Sequence, residues 1–224
     1  MSCVEAEYCS AVLTQRLVLW LMQLLAPLQL IRMGLVIVED ELAHSELSHR
    51  VYTQVGGTEP ADLGSRNLGT PALDPKGVLH AVVRTGLESF CLGETVAVRL
   101  FSRLRSGCTE SSARTALDRI LKDEVRHKEF GWTLLEWLLS LPAADSVRAL
   151  IDQELPAMFE RLRRSYAYSQ LGATSARVPA QSEWGLMPPS EYAAALDETL
   201  TQDYIPLFNG LGIDAKRAWQ ARLG

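Results

Sequence analysis

Apolar residues recur every three or four positions along most of the chain, and no stretch alternates with period two for long enough to make a strand. The pattern predicts an all-α fold. From Glu5 to Leu25 nothing breaks a helix, and a second helical stretch runs from Leu28 to about Val55, where Gly56-Gly57 ends it. Residues 56–76 carry Gly56, Gly57, Pro60, Gly64, Gly69 and Pro71 ahead of Asp74-Pro75, the composition of a long irregular connection. A third helix is expected from about Gly77 to Arg105, broken at Ser106-Gly107, and a fourth from about Glu110 to Leu141, stopped by Pro142. Beyond these lie a charged amphipathic helix (145–171), a proline-rich loop (172–189) and one or two short C-terminal helices.

The first four helices thus arrive as two hairpins with short turns, separated by one long crossover. That is the connectivity of a four-helix bundle with a single crossover. The expected organisation is a bundle over residues 1–141, with a C-terminal helical extension, 142–224, packed on it within the same domain. A chain of 224 residues is long enough to bury a sizeable core.

Composition excludes several classes. With 47% hydrophobic and 22% charged residues the chain is not disordered, and a net charge of −5 is no footprint of a nucleic-acid binder. The four cysteines (Cys3, Cys9, Cys91, Cys108) form no CxxC pair, which fits a reducing compartment. Leu17 to Val38 is apolar over the length of a membrane span. Pro27, Arg32, Gln23 and Gln29 interrupt it, and Glu5 and Glu7 stand where a signal peptide carries positive charge. Two buried helices meeting at a proline are expected instead, in a cytoplasmic protein without a membrane partner.

The candidate chemistry lies in a repeated motif. Asp40-Glu41-Leu42-Ala43-His44-Ser45-Glu46 and Asp123-Glu124-Val125-Arg126-His127-Lys128-Glu129 both spell D-E-x-x-H-x-E, one on each hairpin. Glu and His three apart share one helix face and can share a metal ion. A bundle site also needs carboxylates from the other two helices, at the same height. Glu7 and Glu41 have their midpoint at Leu24, beside the Ala26-Pro27 break, and Glu94 and Glu124 have theirs at Thr109, beside Ser106-Gly107. Each hairpin therefore sets one carboxylate level with its ExxH.

Competing glutamates sort by face. The stripe through Glu7 (Ala11, Thr14, Val18, Leu21, Leu25) is nearly all apolar, whereas that through Glu5 includes Arg16 and Gln23. Glu94 shares its face with Leu87, Phe90, Cys91 and Phe101, while Glu88 lies with Arg84, Arg99 and Ser102. Four glutamates and two histidines on apolar faces call for a compensating cation. Oxygen and imidazole donors without thiolates suit a pair of first-row ions, iron or manganese before zinc. Separate ion pairs would account for one ExxH, but six inward polar groups would then need six partners.

Asp40 and Asp123 fit as acceptors for the free ring N–H of the histidine on the opposite helix, Asp40 for His127 and Asp123 for His44. The competing reading is an ordinary aspartate on a helix flank. Glu46 and His49 form another ExxH on the face of Glu39 and Arg50, and are assigned to solvent. His80, near the start of the third helix, is given a cap or surface role. Ala11, Ser48, Ala97 and Gly131 are small residues one turn beyond the ligands. Close helix packing explains them, and a cavity for oxygen and substrate is the alternative, under which Gly131→Leu would block turnover and spare metal binding.

The E … ExxH … E … ExxH arrangement over residues 5–140, with its long crossover, resembles the ferritin-like di-iron carboxylate proteins. The resemblance implies metal ligands at Glu7, Glu41, His44, Glu94, Glu124 and His127. The aspartate ahead of each ExxH looks like the oxygen-activating branch, in which reduced iron activates O₂ and a small organic substrate is then hydroxylated or N-oxygenated. It also implies two iron ions, with Mn/Fe or Mn/Mn as variants, and a separate reductase as electron donor. Unlike rubrerythrin-like proteins the chain has no rubredoxin cysteines, and unlike ferritins it continues for about eighty residues past the bundle. That extension is expected either to shape a substrate pocket or to form a homodimer surface. An iron-oxidising protein without organic substrate and a non-catalytic helical interaction module are the other readings.

Overall fold

The computed structural model describes residues 3–61, 63–64, 74–166 and 179–221, and among them there is no strand. Four long helical rods come first. Helix α1 (Cys3–Gln23) and α2 (Leu28–Gln54) form one hairpin. The second pairs α5 (Ser111–Ser140) with a continuous rod made of α3 (Val78–Thr85), a π-helical segment (Gly86–Glu94) and α4 (Thr95–Gly107). Then follow α6 (Ala144–Ser165), α7 (Pro179–Glu183), α8 (Pro189–Thr199), a short π segment (Leu200–Tyr204), α9 (Ile205–Gly210) and α10 (Ala215–Gln220). Helix α6 ends at Ser165, short of the expected residue 171. The middle of the expected crossover (62 and 65–73) and the first part of the expected proline-rich loop (172–178) lie outside the described residues, and the rest of that loop contains α7.

The α1–α2 turn is closed by backbone bonds. The amide of Ala26 donates to the Leu21 carbonyl at 3.0 Å and that of Leu25 to Met22 at 3.1 Å, with Leu25 in the left-handed region. This is the Schellman closure, here built on leucine where glycine is usual. Pro27 then stands at the N-cap of α2. Helix α1 packs along α2, α2 against α5, α5 against the π segment and α4, and α1 against α3. The two ExxH helices therefore face one another.

One continuous apolar core runs from these rods into the C-terminal helices, and includes Phe90, Phe130, Phe159, Tyr204 and Phe208. Each buried side chain of this size contributes on the order of 1.5–3 kcal/mol. Polar ties fasten the C-terminal elements: the Tyr204 hydroxyl donates to the Leu92 carbonyl (2.5 Å), Lys128 pairs with Asp203 (2.7 Å), and the Arg163 guanidinium lies 3.8 Å over the Trp219 ring. No described helix is long and apolar enough to cross a membrane.

Candidate metal centre

Among the described residues the fully buried carboxylates and imidazoles all come from α2 and α5. Glu41 and His44 of α2 and Glu124 and His127 of α5 are buried, with Glu7 of α1 and Glu94 at the end of the π segment partly so. One oxygen or nitrogen from each of Glu7, Glu41 and His44 falls within 4.8 Å of the others, and the same holds for Glu41, Glu94 and His127. The two groups share Glu41. The spacing of the two motifs and their level partners thus corresponds to one cluster in space.

Its internal distances are informative. His44 Nδ1 lies 3.7 Å from Glu41 Oε2, 3.9 Å from Glu124 Oε1 and 4.0 Å from Glu7 Oε2. His127 Nδ1 lies 3.5 Å from Glu41 Oε1 and 3.8 Å from Glu124 Oε2. Glu41 and Glu124 therefore each turn one oxygen to each imidazole. These separations are too long for hydrogen bonds, whereas two donors each about 2.1 Å from a common cation stand about 3–4 Å apart. Glu41 Oε2, Glu124 Oε2, His44 Nδ1 and His127 Nδ1 are buried without a hydrogen-bond partner, although such atoms are nearly always paired. A cation held among them would satisfy all four.

Electrostatics agree. Burial, then the neighbouring Glu41 charge, pushes the Glu7 carboxyl well above the usual glutamate range. Burial and Glu94 do the same to Glu124, and burial raises Glu94 too. Glu41 is held low despite its burial by the two imidazoles, and Ser10 donates to its Oε1 at 2.8 Å. Carboxyls raised in this way hold their protons more tightly than a free glutamate does, and a cation bound among them would displace those protons.

The outer ring nitrogens are fixed from behind. His44 Nε2 lies 3.2 Å from Asp123 Oδ2 and His127 Nε2 lies 3.3 Å from Asp40 Oδ2, the crossed pairing expected from the sequence. Burial alone would raise Asp40, but His127 and Arg126 bring it down to about 2, so it is an ionised acceptor. With each Nε2 engaged by a carboxylate, each Nδ1 faces the cluster, placed to ligate a cation through its lone pair. Sequence reasoning missed the two arginines that cover this clasp. Arg126 Nη2 reaches Asp40 (2.8 Å) and Asp123 (2.7 Å), while Arg119 Nε donates to Asp123 and its Nη2 reaches Asp40 at 3.3 Å. Their signal was present, four residues before and three after Asp123, but it is indistinguishable from ordinary helix-surface pairing.

The competing residues lie elsewhere. Glu88 pairs with Arg161 outside the cluster (2.5 Å), Glu46 and His49 are exposed, and His80 is half-buried near Asp74. The π segment delivers Glu94, an irregularity frequent at functional sites and without an evident sequence signal here.

The four small positions divide. A cavity of about 510 Å³ lies beside the cluster and includes Ser48 among its walls, but not Ala11, Ala97 or Gly131. A Cβ at Gly131 would meet the Phe90 backbone at 2.6 Å, and Cys91 Sγ donates to the Gly131 carbonyl. Gly131 therefore serves close packing of α5 on the π segment, which corrects the cavity reading of that residue. No protein-family model, curated protein or solved structure matches the chain.

Proposed function

We propose that this protein is a ferritin-like four-helix bundle whose Glu₄His₂ cluster holds two first-row metal ions, iron foremost, and that it activates O₂ to oxidise a small organic molecule. The observation that carries the reading is the convergence of four unpartnered buried atoms, two imidazole nitrogens and two carboxylate oxygens, on one level between α2 and α5. Glu7 and His44 would help hold one ion and Glu94 and His127 the other, with Glu41 and Glu124, which face both imidazoles, available to each. Reduced iron bound there would supply electrons to O₂, and an external reductase would restore them.

The chain's own residues have definite tasks. Asp40 and Asp123 hold the imidazole protons at Nε2, so the inward nitrogens stay free to ligate. Arg119 and Arg126 balance the aspartate charges, leaving a core with four carboxylates against two ions. The apolar rods around the cluster exclude bulk water. An adjoining cavity within the usual size range for small-molecule sites supports an organic substrate over iron storage.

The test is anaerobic loading with Fe²⁺, followed by metal analysis, optical spectroscopy on O₂ addition, and sizing. Two irons per chain, O₂-dependent spectral change and a small assembly are expected. Protein that retains no iron would return the chain to a helical interaction module. A large cage turning over Fe²⁺ alone would make it an iron-handling protein.

A further inference from the structure

Only one of the six cluster residues lines the cavity. Glu7 does; Glu41, His44, Glu94, Glu124 and His127 do not. The Glu7 side chain is 14% exposed, against 2% for Glu41 and 3% for Glu124. The cavity and the cluster therefore meet at the Glu7–His44 end.

The far wall comes from the C-terminal extension. Trp184, Gly185 and Leu186 close the space over the α4–α5 turn. This wall is anchored: the Glu183 carbonyl accepts from the amides of Thr109 (2.9 Å) and Glu110 (3.0 Å), and the Cys108 thiol donates to it at 3.3 Å. Gly185 adopts φ +81°, and a Cβ there would press to 2.9 Å from Leu117 and 3.2 Å from the Leu104 carbonyl. Glycine thus lets the strap turn tightly against α4 and α5.

The lining is mostly aliphatic and aromatic. Its ionisable side chains are Glu5, Glu7, Glu59, His49, Cys3 and Tyr52, and no lysine or arginine is among the described residues that line it. An acid entering this space would lose hydration and find no fixed cation among these described residues, a cost of several kcal/mol for a buried charge. An amine would meet carboxylates, and a neutral group would meet neither penalty.

We infer that the cavity is the substrate site of the metal centre, that it admits a hydrophobic molecule with a neutral or amino end and turns away carboxylates and phosphates, and that it presents that molecule to the Glu7–His44 ion. The inference rests on the metal-centre reading. The specificity follows from the lining, the orientation from Glu7, and the closure from the Glu183–Leu186 strap.

The experiment uses three probes of one shape, phenylbutylamine, phenylbutanol and phenylbutanoate, titrated calorimetrically into metal-free and cobalt(II)-loaded full-length protein near neutral pH. The amine and the alcohol should bind both forms, with the acid weaker by about tenfold or more. Amine or alcohol should also shift the visible spectrum of the cobalt(II) protein. Ala116→Phe, which fills the cavity from α5, should remove probe binding while cobalt(II) still binds. Should that variant fail to fold, Ala61→Trp at the rim serves instead. Acid binding as tight as amine binding, undiminished binding to the filled variant, or no probe binding to protein that retains cobalt(II) would each overturn the inference alone. Probe binding without cobalt(II) retention would instead overturn the metal-centre reading, and with it the approach to Glu7.

Discussion

His127 of α5 turns its Nε2 to Asp40 of α2, 3.3 Å away, so the ring of one ExxH motif is held by the residue that precedes the other. His44 and Asp123 repeat the contact in the opposite sense at 3.2 Å. The rings stand 5.7 Å apart, each with its inner nitrogen in the cluster. Neither helix can shift along the other without breaking both contacts. The clasp thus fixes helix register and imidazole tautomer together.

Asp40→Asn and Asp123→Asn test the second of these roles. Asparagine keeps the shape and an acceptor oxygen, but loses the charge that orients His Nε2–H and balances the arginines. Metal affinity, measured by competition with a chelator, should fall about 10–100-fold in each variant. Equal affinity in both variants and wild type would mean that the inner nitrogens do not ligate.

The shared glutamates should differ from the outer ones. Glu41 and Glu124 each face both imidazoles, whereas Glu7 groups with His44 and Glu94 with His127. Metal analysis of Glu41→Ala and Glu124→Ala should find both ions lost along with O₂-dependent activity. Glu7→Ala and Glu94→Ala should each keep one ion. Four variants with the same stoichiometry would contradict the shared-glutamate arrangement, and wild-type activity in Glu41→Ala or Glu124→Ala would remove the site altogether.

Metal-free protein should show an inverted pH dependence of stability. Glu7 and Glu124 sit well above the ordinary glutamate value of 4.5, burial being the main cause, and His127 sits above 6.5 because Asp40, Glu94 and Glu41 outweigh its burial. The folded state therefore binds more protons than the unfolded one across this range, and unfolding free energy falls as pH rises. Denaturant midpoints of the metal-free protein should be higher near pH 5 than near pH 7. Well below that range they should fall again, as Asp40, Asp123 and Glu41, all held low, become protonated. Bound metal displaces the protons, so affinity should rise with pH. A metal-free protein most stable near pH 7 would contradict this account of the cluster.

The cluster was legible because a helix has a fixed period and a hairpin a fixed symmetry. ExxH places two donors on one face, and straddling the turn places Glu7 and Glu94 level with them. Face sorting also separated Glu94 from Glu88, although the π segment between Gly86 and Glu94 departs from the assumed period. What the sequence hid is of two kinds. Arg119, Arg126 and Ser10 act across helices, and nothing in a polar residue on a helix flank reveals which neighbour it meets. Trp184 and Leu186 reach the cavity from well over a hundred residues beyond Glu7, a contact set by the chain's path and not by any periodicity. The all-helical class could be read locally; the cavity could not.

Gly131 shows the same limit at a single residue. It stands one turn past His127 on the inward face, where close packing explains a missing side chain and room for a ligand is the alternative beside a metal pair. The Phe90 backbone occupies that room, with its carbonyl carbon 2.6 Å and its oxygen 2.8 Å from where a Cβ would lie. A backbone cannot rotate away as a side-chain tip can. Gly131→Leu must therefore push α5 off the π segment that carries Glu94, and overpacking of this kind costs about 1–3 kcal/mol or more. Chemical denaturation should show that loss, and metal affinity should fall with it because Glu94 moves. Unchanged stability and metal binding in Gly131→Leu, with turnover alone abolished, would return Gly131 to the wall of a substrate cavity.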